Sequence, residues 1–459
     1  MTRRRILGSF LAVLALGISS MGAARASTAG PVGPVDEQNV VWLDHVSTPT
    51  SVTGLAFLRY ASGANRDVMF GDGPFGLGAW SLADPAHPQL IGELPAAALA
   101  LPGDDVSRGF WEGEHLQADQ TRKLIFLSRD PRAFAPHTLA QELVGTAGIY
   151  IIDARNPHQL RLLGFHPEGA GHTAQCIDGC RYIWSGGPFR SASGPFEPDW
   201  NGVPVWVTNT TNPQRPFTYP TPVDLGRNDG VTDYVHSTDV DAAGLAWTSG
   251  NGGMRGYWTS GTHFDPVAGV VRQASPFDPV PYAGGKIISP NDPSYIFDHN
   301  ALRPLNSLGG FAPGELLLVT DEDFGSTCED SGHLLVVSLA GSYDGEGWRS
   351  TPDNPFRLTV IGQYSPAGQP GFQPSANDDC SAHWSQPMTG VGDGNIIVEA
   401  FYGQGTRFID VSNPTQPQQV GYFVPTDTVA ATPAYHDGLV YAAQYTTGID
   451  IIRFTPAAS

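Results

Sequence analysis

Charge is scarce in this chain of 459 residues: only 15% of it is Asp, Glu, Lys or Arg, with 25 basic residues against 45 acidic ones. A surface with that balance repels phosphate backbones, which argues against nucleic acid as a partner. Cysteine is scarce too; four residues allow at most two bridges and exclude a disulfide-dense mini-protein. Beyond the first 26 residues no apolar run approaches the roughly 20 positions that a membrane-spanning helix needs. Long helical periodicity is missing as well. There is no Gly-x-Ser-x-Gly elbow, no His-Glu-x-x-His, no P-loop and no Gly-x-Gly-x-x-Gly opening a helix, which makes serine-based hydrolysis and nucleotide chemistry poor expectations.

At the N-terminus Arg3, Arg4 and Arg5 precede an apolar stretch from Ile6 to Ile18, then small residues ending Ala24-Arg25-Ala26. That order of charged, apolar and A-x-A segments reads as a signal peptide over residues 1–26. Thr2-Arg3-Arg4-Arg5-Ile6-Leu7 also resembles a twin-arginine signal, the alternative export route. Loss of four arginines with this segment takes the formal charge from −20 to −24, which suits solubility outside the cell and attraction of cations. The expected location is secreted or otherwise extracytoplasmic. In that oxidising setting Cys176 with Cys180, and Cys328 with Cys380, are expected disulfides; a metal on Cys176-x-x-x-Cys180 is the alternative.

What the chain has in abundance is Gly (55) and Pro (39), punctuating short runs of Leu, Val and Ile. This is the pattern of many short strands and tight turns. The runs repeat. Gly148-Ile-Tyr-Ile-Ile-Asp153 leads through Asn156-Pro157 into Gln159-Leu-Arg-Leu-Leu-Gly164, and Thr406-Arg-Phe-Ile-Asp410 leads through Asn413-Pro414 into Gln418-Gln-Val-Gly-Tyr-Phe423. Weaker copies sit at Gly78–Pro85, Val205–Pro213 and Gly448–Phe454. Asp and Asn can bond their own backbone in such turns and Pro presets φ, so each unit reads as two outer strands of a four-stranded blade. Inner strands precede them, as in His236-Ser-Thr-Asp-Val-Asp with Leu245-Ala-Trp-Thr-Ser. Seven such units, starting near Thr53, His115, His172, His236, His299, His383 and His436, give an all-β, seven-bladed β-propeller over residues 27–459. Val40-Val41-Trp42-Leu43 is expected to complete the last blade and close the ring. The insertions Gly187–Asp199, Thr259–Pro290 and Asp344–Pro355 are expected to form loops over one face.

Ile149-Tyr-Ile-Ile-Asp153 and Phe408-Ile-Asp410, with their Asn-Pro turns, resemble the LVIVD-repeat family of secreted propellers. The resemblance spans most of the mature chain with three or four sharp repeats, and it implies the fold while leaving function open.

Histidine is about one residue in 35, yet it opens the inner strand of six blades: His115, His172, His236, His299, His383 and His436. Equivalent positions of a propeller converge at one channel mouth. The plain reading is that each caps a strand, a habit spread by duplication. The sharper one is a transition-metal site, because neutral imidazoles suit copper, iron, zinc or nickel. Most sites use three or four protein ligands, leaving spares for a second shell. The arrangement is similar in architecture to propeller metalloenzymes with channel histidines: carotenoid-cleaving oxygenases, nitrous oxide reductase and the selenium-binding-protein type of methanethiol oxidase. All-nitrogen ligation in an oxidising compartment favours copper, with iron or zinc open. His236, His299, His383 and His436 are the first ligand choices.

Second inner strands end at the same mouth, which brings Arg129, Asp321, Glu322, Asp323, Glu399 and Gln444 near the ring, together with Glu112 and Glu114. Glu399, in Ile-Ile-Val-Glu-Ala, reads as ligand, acid–base group or paired structural charge. Arg129 is expected to neutralise Asp130, with capture of an anionic substrate as the alternative. Asp321-Glu-Asp323 with Glu329-Asp330 lacks EF-hand spacing but is a possible Ca²⁺ site. The expectation is therefore a monomeric metal-dependent oxidoreductase acting on a small molecule. A non-catalytic binding propeller presenting its loops to a protein or glycan is the alternative, and a metal-dependent hydrolase a third.

Overall fold

In the computed structural model the residues described are 34–456, apart from 62, 64–65, 112, 139, 141–144, 188–203, 224–233, 252, 266–267, 286–296, 324–325, 340–357, 375–379 and 447. The signal segment, Glu112 and nearly all of the insertions 187–199 and 344–355 thus lie outside the described residues.

Seven four-stranded antiparallel sheets succeed one another along the chain. Blade 1 is Leu55–Arg59, Asp67–Gly73, Gly76–Ser81 and Gln89–Pro95. Blade 2 is Gln117–Asp119, Leu124–Arg129, Gly148–Asp153 and Arg161–Pro167, and blade 3 is Thr173–Ile177, Tyr182–Gly186, Trp206–Asn209 and Phe217–Thr218. Blade 4 is Tyr234–Val240, Leu245–Asn251, Met254–Trp258 and Val280–Gly285; its insertion folds as a hairpin, Thr262–Asp265 with Val270–Gln273. Blade 5 is Asp298–Leu302, Leu316–Asp321, Leu334–Ser338 and Thr359–Tyr364. Blade 6 is Ala382–Pro387, Ile396–Phe401, Gly405–Asp410 and Gln418–Pro425, widened by a fifth strand, Pro34–Gln38. Blade 7 takes three strands from the C-terminal end, Ala430–His436, Leu439–Gln444 and Ile449–Phe454, and its outer strand, Val40–Val46, from the other end of the chain. The ring closes as the sequence predicts, which removes open sheet edges between the first and last blades.

The turn chemistry explains why the repeats bend where they do. Asp153 and Asp410 each accept a backbone N–H two residues on, from Arg155 at 3.1 Å and Ser412 at 2.7 Å. Asn156, Asn212 and Asn413 do the same for His158, Gln214 and Thr415, closing Asx turns that leave the flanking strands free to pair. Apolar faces then pack blade against blade. Leu316, Leu318 and Val336 of blade 5 meet Ile397, Phe401 and Ile409 of blade 6. Met69 and Trp80 of blade 1 meet Tyr441 and Ile451 of blade 7 across the closing seam. Both disulfides form: Cys176–Cys180 closes the first turn of blade 3, and Cys328–Cys380 ties a loop of blade 5 to the residues entering blade 6.

Candidate metal centre

The inner strand of blades 4, 5 and 6 shifts register near its start, between Val235 and Ser237, Asp298 and Ala301, and Ala382 and Ser385. His236, His299 and His383 sit in those irregularities, which re-aim a side chain out of the pleat. His172 holds the matching place in blade 3, its N–H donating to the Gly186 carbonyl at 3.1 Å. A Cβ on Gly171 would lie 2.2 Å from the Arg129 carbonyl, so only glycine lets the His172 segment come this close to blade 2. Hydroxyls then fasten neighbouring blades through the histidine carbonyls: Ser128 donates to His172 and Ser249 to His299, each at 3.0 Å, and Thr173 donates to His236.

Four imidazoles from four successive blades thereby form an arc, with ring centroids 4.8 Å apart for His172–His236, 4.1 Å for His236–His299 and 4.3 Å for His299–His383. Facing them from blade 2 is Glu114. Its carboxylate lies 3.3 Å from His172 Nε2, 3.4 Å from His236 Nε2, 3.3 Å from His299 Nε2 and 3.6 Å from His383 Nε2. Glu322 completes the group at 3.8 Å from His299 Nε2 and 4.0 Å from His383 Nε2. All six side chains are buried. Tyr445 donates to Glu114 at 3.1 Å and Tyr402 donates to Glu322. The Trp384 ring stands 4.7 Å from that of His299.

The electrostatics divide the histidines into two kinds. Burial works against charge on His172, but Glu114 and Asp130 outweigh it and hold that imidazole well above its ordinary range. His383 is likewise raised, burial being overcome by Glu114 and Glu322. Burial pushes His236 down to about 4, and burial with the neighbouring His236 and His383 pushes His299 well below its ordinary value. Desolvation would lift Glu114, yet the charges on His172 and His383 and hydrogen bonds from His172 and His236 hold it well below the usual carboxylate range. Burial takes Glu322 the other way, up to about 7.

The donor set fits a cation. Nδ1 of His383 donates to the Ala431 carbonyl at 2.6 Å and Nδ1 of His172 to Asp130 at 2.9 Å. With Nδ1 so engaged, Nε2 is the nitrogen that would meet a cation once its own proton is lost, and Nε2 of His299 and His383 has no hydrogen-bond partner among the described residues. Two donor atoms bound about 2.1 Å from one ion stand roughly 3.0–3.5 Å apart when they are neighbours in its coordination shell, close to the nitrogen–oxygen separations found here. Three overlapping groups of this cluster have ligand atoms within 4.8 Å of one another: Glu114 with His299 and His383, Glu114 with His172 and His236, and Glu322 with His236 and His299.

Other residues singled out from the sequence lie elsewhere. His436 ends the inner strand of blade 7 instead of opening it. Asp437 and Gly438 both take positive φ, the signature of a two-residue hairpin turn, so His436 faces the opposite mouth. There it pairs with Asp67 at 2.7 Å and stacks on Phe57 at 4.1 Å. The blade 7 register irregularity falls between Ala430 and Pro433 and contains Ala431. His115 is displaced from the arc because Glu114 occupies the channel position of blade 2; its ring packs 4.8 Å from Trp384, and burial lowers it to about 4. Arg129 does not neutralise Asp130. It donates to Asp104 at 2.7 and 3.0 Å and to the Tyr150 hydroxyl at 2.8 Å, while Asp130 pairs with Arg132. Glu399 shares a strand face with Ser385, whose hydroxyl reaches Asn300 of blade 5. It therefore sits in the seam between blades and not in the channel. Neither of its oxygens has a hydrogen-bond partner among the described residues, and burial raises it well above the carboxylate range. Asp321 accepts the Gly332 N–H at 3.3 Å and Asp323 accepts from Ser331 while Glu322 turns into the channel. Among the described residues no three of the carboxylates proposed for Ca²⁺ converge. Asp130, Tyr402, Tyr445 and Trp384 carry no motif that marks them in the sequence.

No family model and no curated protein matches the chain. Among solved structures it is similar to the WD40 repeats of RRP9, at 12% identity and TM-score 0.48 over 92% of this chain and 99% of that one. It is also similar to the WD40 β-propeller domain of Doa1, at 9% identity and TM-score 0.45 over 92% and 96%.

Proposed function

We propose that the protein is an exported metalloprotein whose His172, His236, His299 and His383 hold one redox-active transition-metal ion, copper or iron, with Glu114 as a further donor. The observation that carries this reading is the convergence of four buried Nε2 atoms within 3.3–3.6 Å of one carboxylate. Neutral imidazoles suit copper and iron alike, and the carboxylate adds an oxygen donor that iron accepts readily. Four uncharged ligands with one or two carboxylates leave the ion little over-neutralised, which favours electron exchange with a small substrate.

The groups around the ion supply protons. Burial raises the Glu322 carboxyl to about 7 in the metal-free chain, and the Tyr402 and Tyr445 hydroxyls adjoin the two carboxylates. A redox-active ion held there would supply electron exchange with a small substrate, and Glu322 with the Tyr402 and Tyr445 hydroxyls would be the groups placed to move a proton beside it. Two disulfides suit an oxidising compartment. Zinc in the same cage would instead give Lewis-acid hydrolysis.

The test is the metal content of mature protein purified without a histidine tag, measured by mass spectrometry beside the His236→Ala/His299→Ala variant. Close to one copper or iron per chain in the wild type and none in the variant is expected. A wild type that stays metal-free after loading with Cu²⁺ and with anaerobic Fe²⁺ overturns the reading.

A further inference from the structure

The four imidazoles are held unequally, and the difference points to a residue outside the cluster. Nδ1 of His236 and of His299 has no partner among the described residues. Nδ1 of His383 meets a backbone carbonyl, that of Ala431. Only His172 has a charged partner there: its Nδ1 donates to Asp130 Oδ2 at 2.9 Å.

Asp130 is itself fixed. It is fully buried at the start of the loop that follows the second strand of blade 2. Its Oδ1 accepts from the Arg132 backbone N–H at 2.7 Å and from Arg132 Nε at 2.9 Å, and its Oδ2 accepts from Arg132 Nη2 at 2.9 Å. The Arg132 guanidinium lies over the Trp111 ring at 5.7 Å, which keeps the ion pair from swinging away. The chain of contacts therefore runs from Arg132 through Asp130 and His172 to Glu114.

We infer that Asp130 is a positioning residue of the proposed centre: it locks the orientation of His172, directs its Nε2 lone pair at the metal position and makes it the most strongly donating of the four imidazoles. This rests on the four-histidine reading above. A carboxylate behind a ligand histidine fixes the tautomer and raises the basicity of the opposite nitrogen. Arg132 cancels the charge of Asp130 at longer range, so the effect is confined to His172. Asp130 reaches the ion only through that ring.

Metal affinity by competition titration and midpoint potential by spectroelectrochemistry, on full-length Asp130→Ala and Asp130→Asn, test this. Removal of such a partner weakens metal binding by roughly 10–100-fold, and that loss is expected for Asp130→Ala. The loss should vanish in a His172→Ala background, where the ring that transmits it is gone. Asp130→Asn keeps an acceptor oxygen without the charge, so it should bind metal within a few-fold of wild type and show a higher midpoint potential. It also supplies the answer if the alanine variant fails to fold. An Asp130→Ala loss that persists in the His172→Ala background, or an Asp130→Asn potential equal to that of the wild type, overturns the positioning role. A wild type that binds no metal overturns the centre itself, and is told apart because no variant is needed to see it.

Discussion

The inner strands of blades 4 to 6 and of blade 7 share a register irregularity near their start and put opposite chemistry on it. Where the first arc carries His172, His236, His299 and His383, blade 7 carries Ala431, and Thr432 fastens it to the carbonyl of Thr53 in blade 1 at 2.8 Å. Several bonds that fasten neighbouring blades run through backbone carbonyls and small hydroxyls, and the imidazoles of His172 and His383 add further ones to Asp130 and to the Ala431 carbonyl. A repeat fold can thus gather several donors on one side of a channel by altering one position per blade, and leave the other side small.

The comparison is easiest to break at the seam between blades 5 and 6. Cys328 lies on the loop that carries Glu322, and Cys380 stands just before His383, so this bridge ties an acid to a candidate ligand. Closing a loop of 52 residues is worth about 4 kcal/mol in the chain-entropy picture, against about 2 kcal/mol for the tight Cys176–Cys180 loop. Replacing Cys328 and Cys380 by serine should lower the melting temperature further than replacing Cys176 and Cys180, and should lower metal occupancy as well. Equal losses in calorimetry, with full occupancy in both variants, would remove the link between that seam and the site.

A smaller effect is expected from Glu399. The unfolded chain releases this proton near pH 4.3, while burial keeps the folded carboxyl neutral well above that. Stability from the neutral form is complete at low pH and declines as the pH rises toward the folded value. Glu399→Gln should match the wild type near pH 4 and exceed it at pH 8 by about 1–3 kcal/mol. A melting-temperature difference that does not change between those pH values would show that the carboxyl finds a partner. The smallest effect belongs to His436→Ala at the other mouth. Loss of its pairing with Asp67 should cost within about 1 kcal/mol and leave metal content untouched; a metal-depleted His436→Ala protein would reconnect the two mouths.

The fold was legible because its instructions are local. Asp-x-x-Asn-Pro turns mark blades 2 and 6 and period-two apolar runs recur along the chain, and the strand Val40–Val46 pairs with the last strand of the final blade. The site was legible in part. His236 could be placed because recognisable inner strands surround it, whereas the strands around His299 and His383 are less plain in the sequence. His436 was misplaced although Asp437-Gly438 after it is a strong hairpin signal, which fixes it at the far end of its strand. In blade 2 the channel position fell one residue before the histidine, and a slip of one residue exchanges which side chain points inward; that is why Glu114, and not His115, faces the arc. Arg129 with Asp104, and Asp130 with Arg132, depend on how a loop folds back. Glu399 sits on a strand whose alternation is plain, but alternation does not say which face is channel and which is seam.

The outer strand of the last blade brings Trp42 within hydrogen-bond reach of Asp450, 408 positions away along the chain. Val40–Val46 and its partner Ile449–Phe454 come from far-separated parts of the chain, so the last blade can close only after everything between them has been made. The Ala431 carbonyl that steadies His383 belongs to that same last blade, and contacts of such long range form slowly. In the proposed centre, an ion arriving before that closure would meet an arc whose final support had yet to dock.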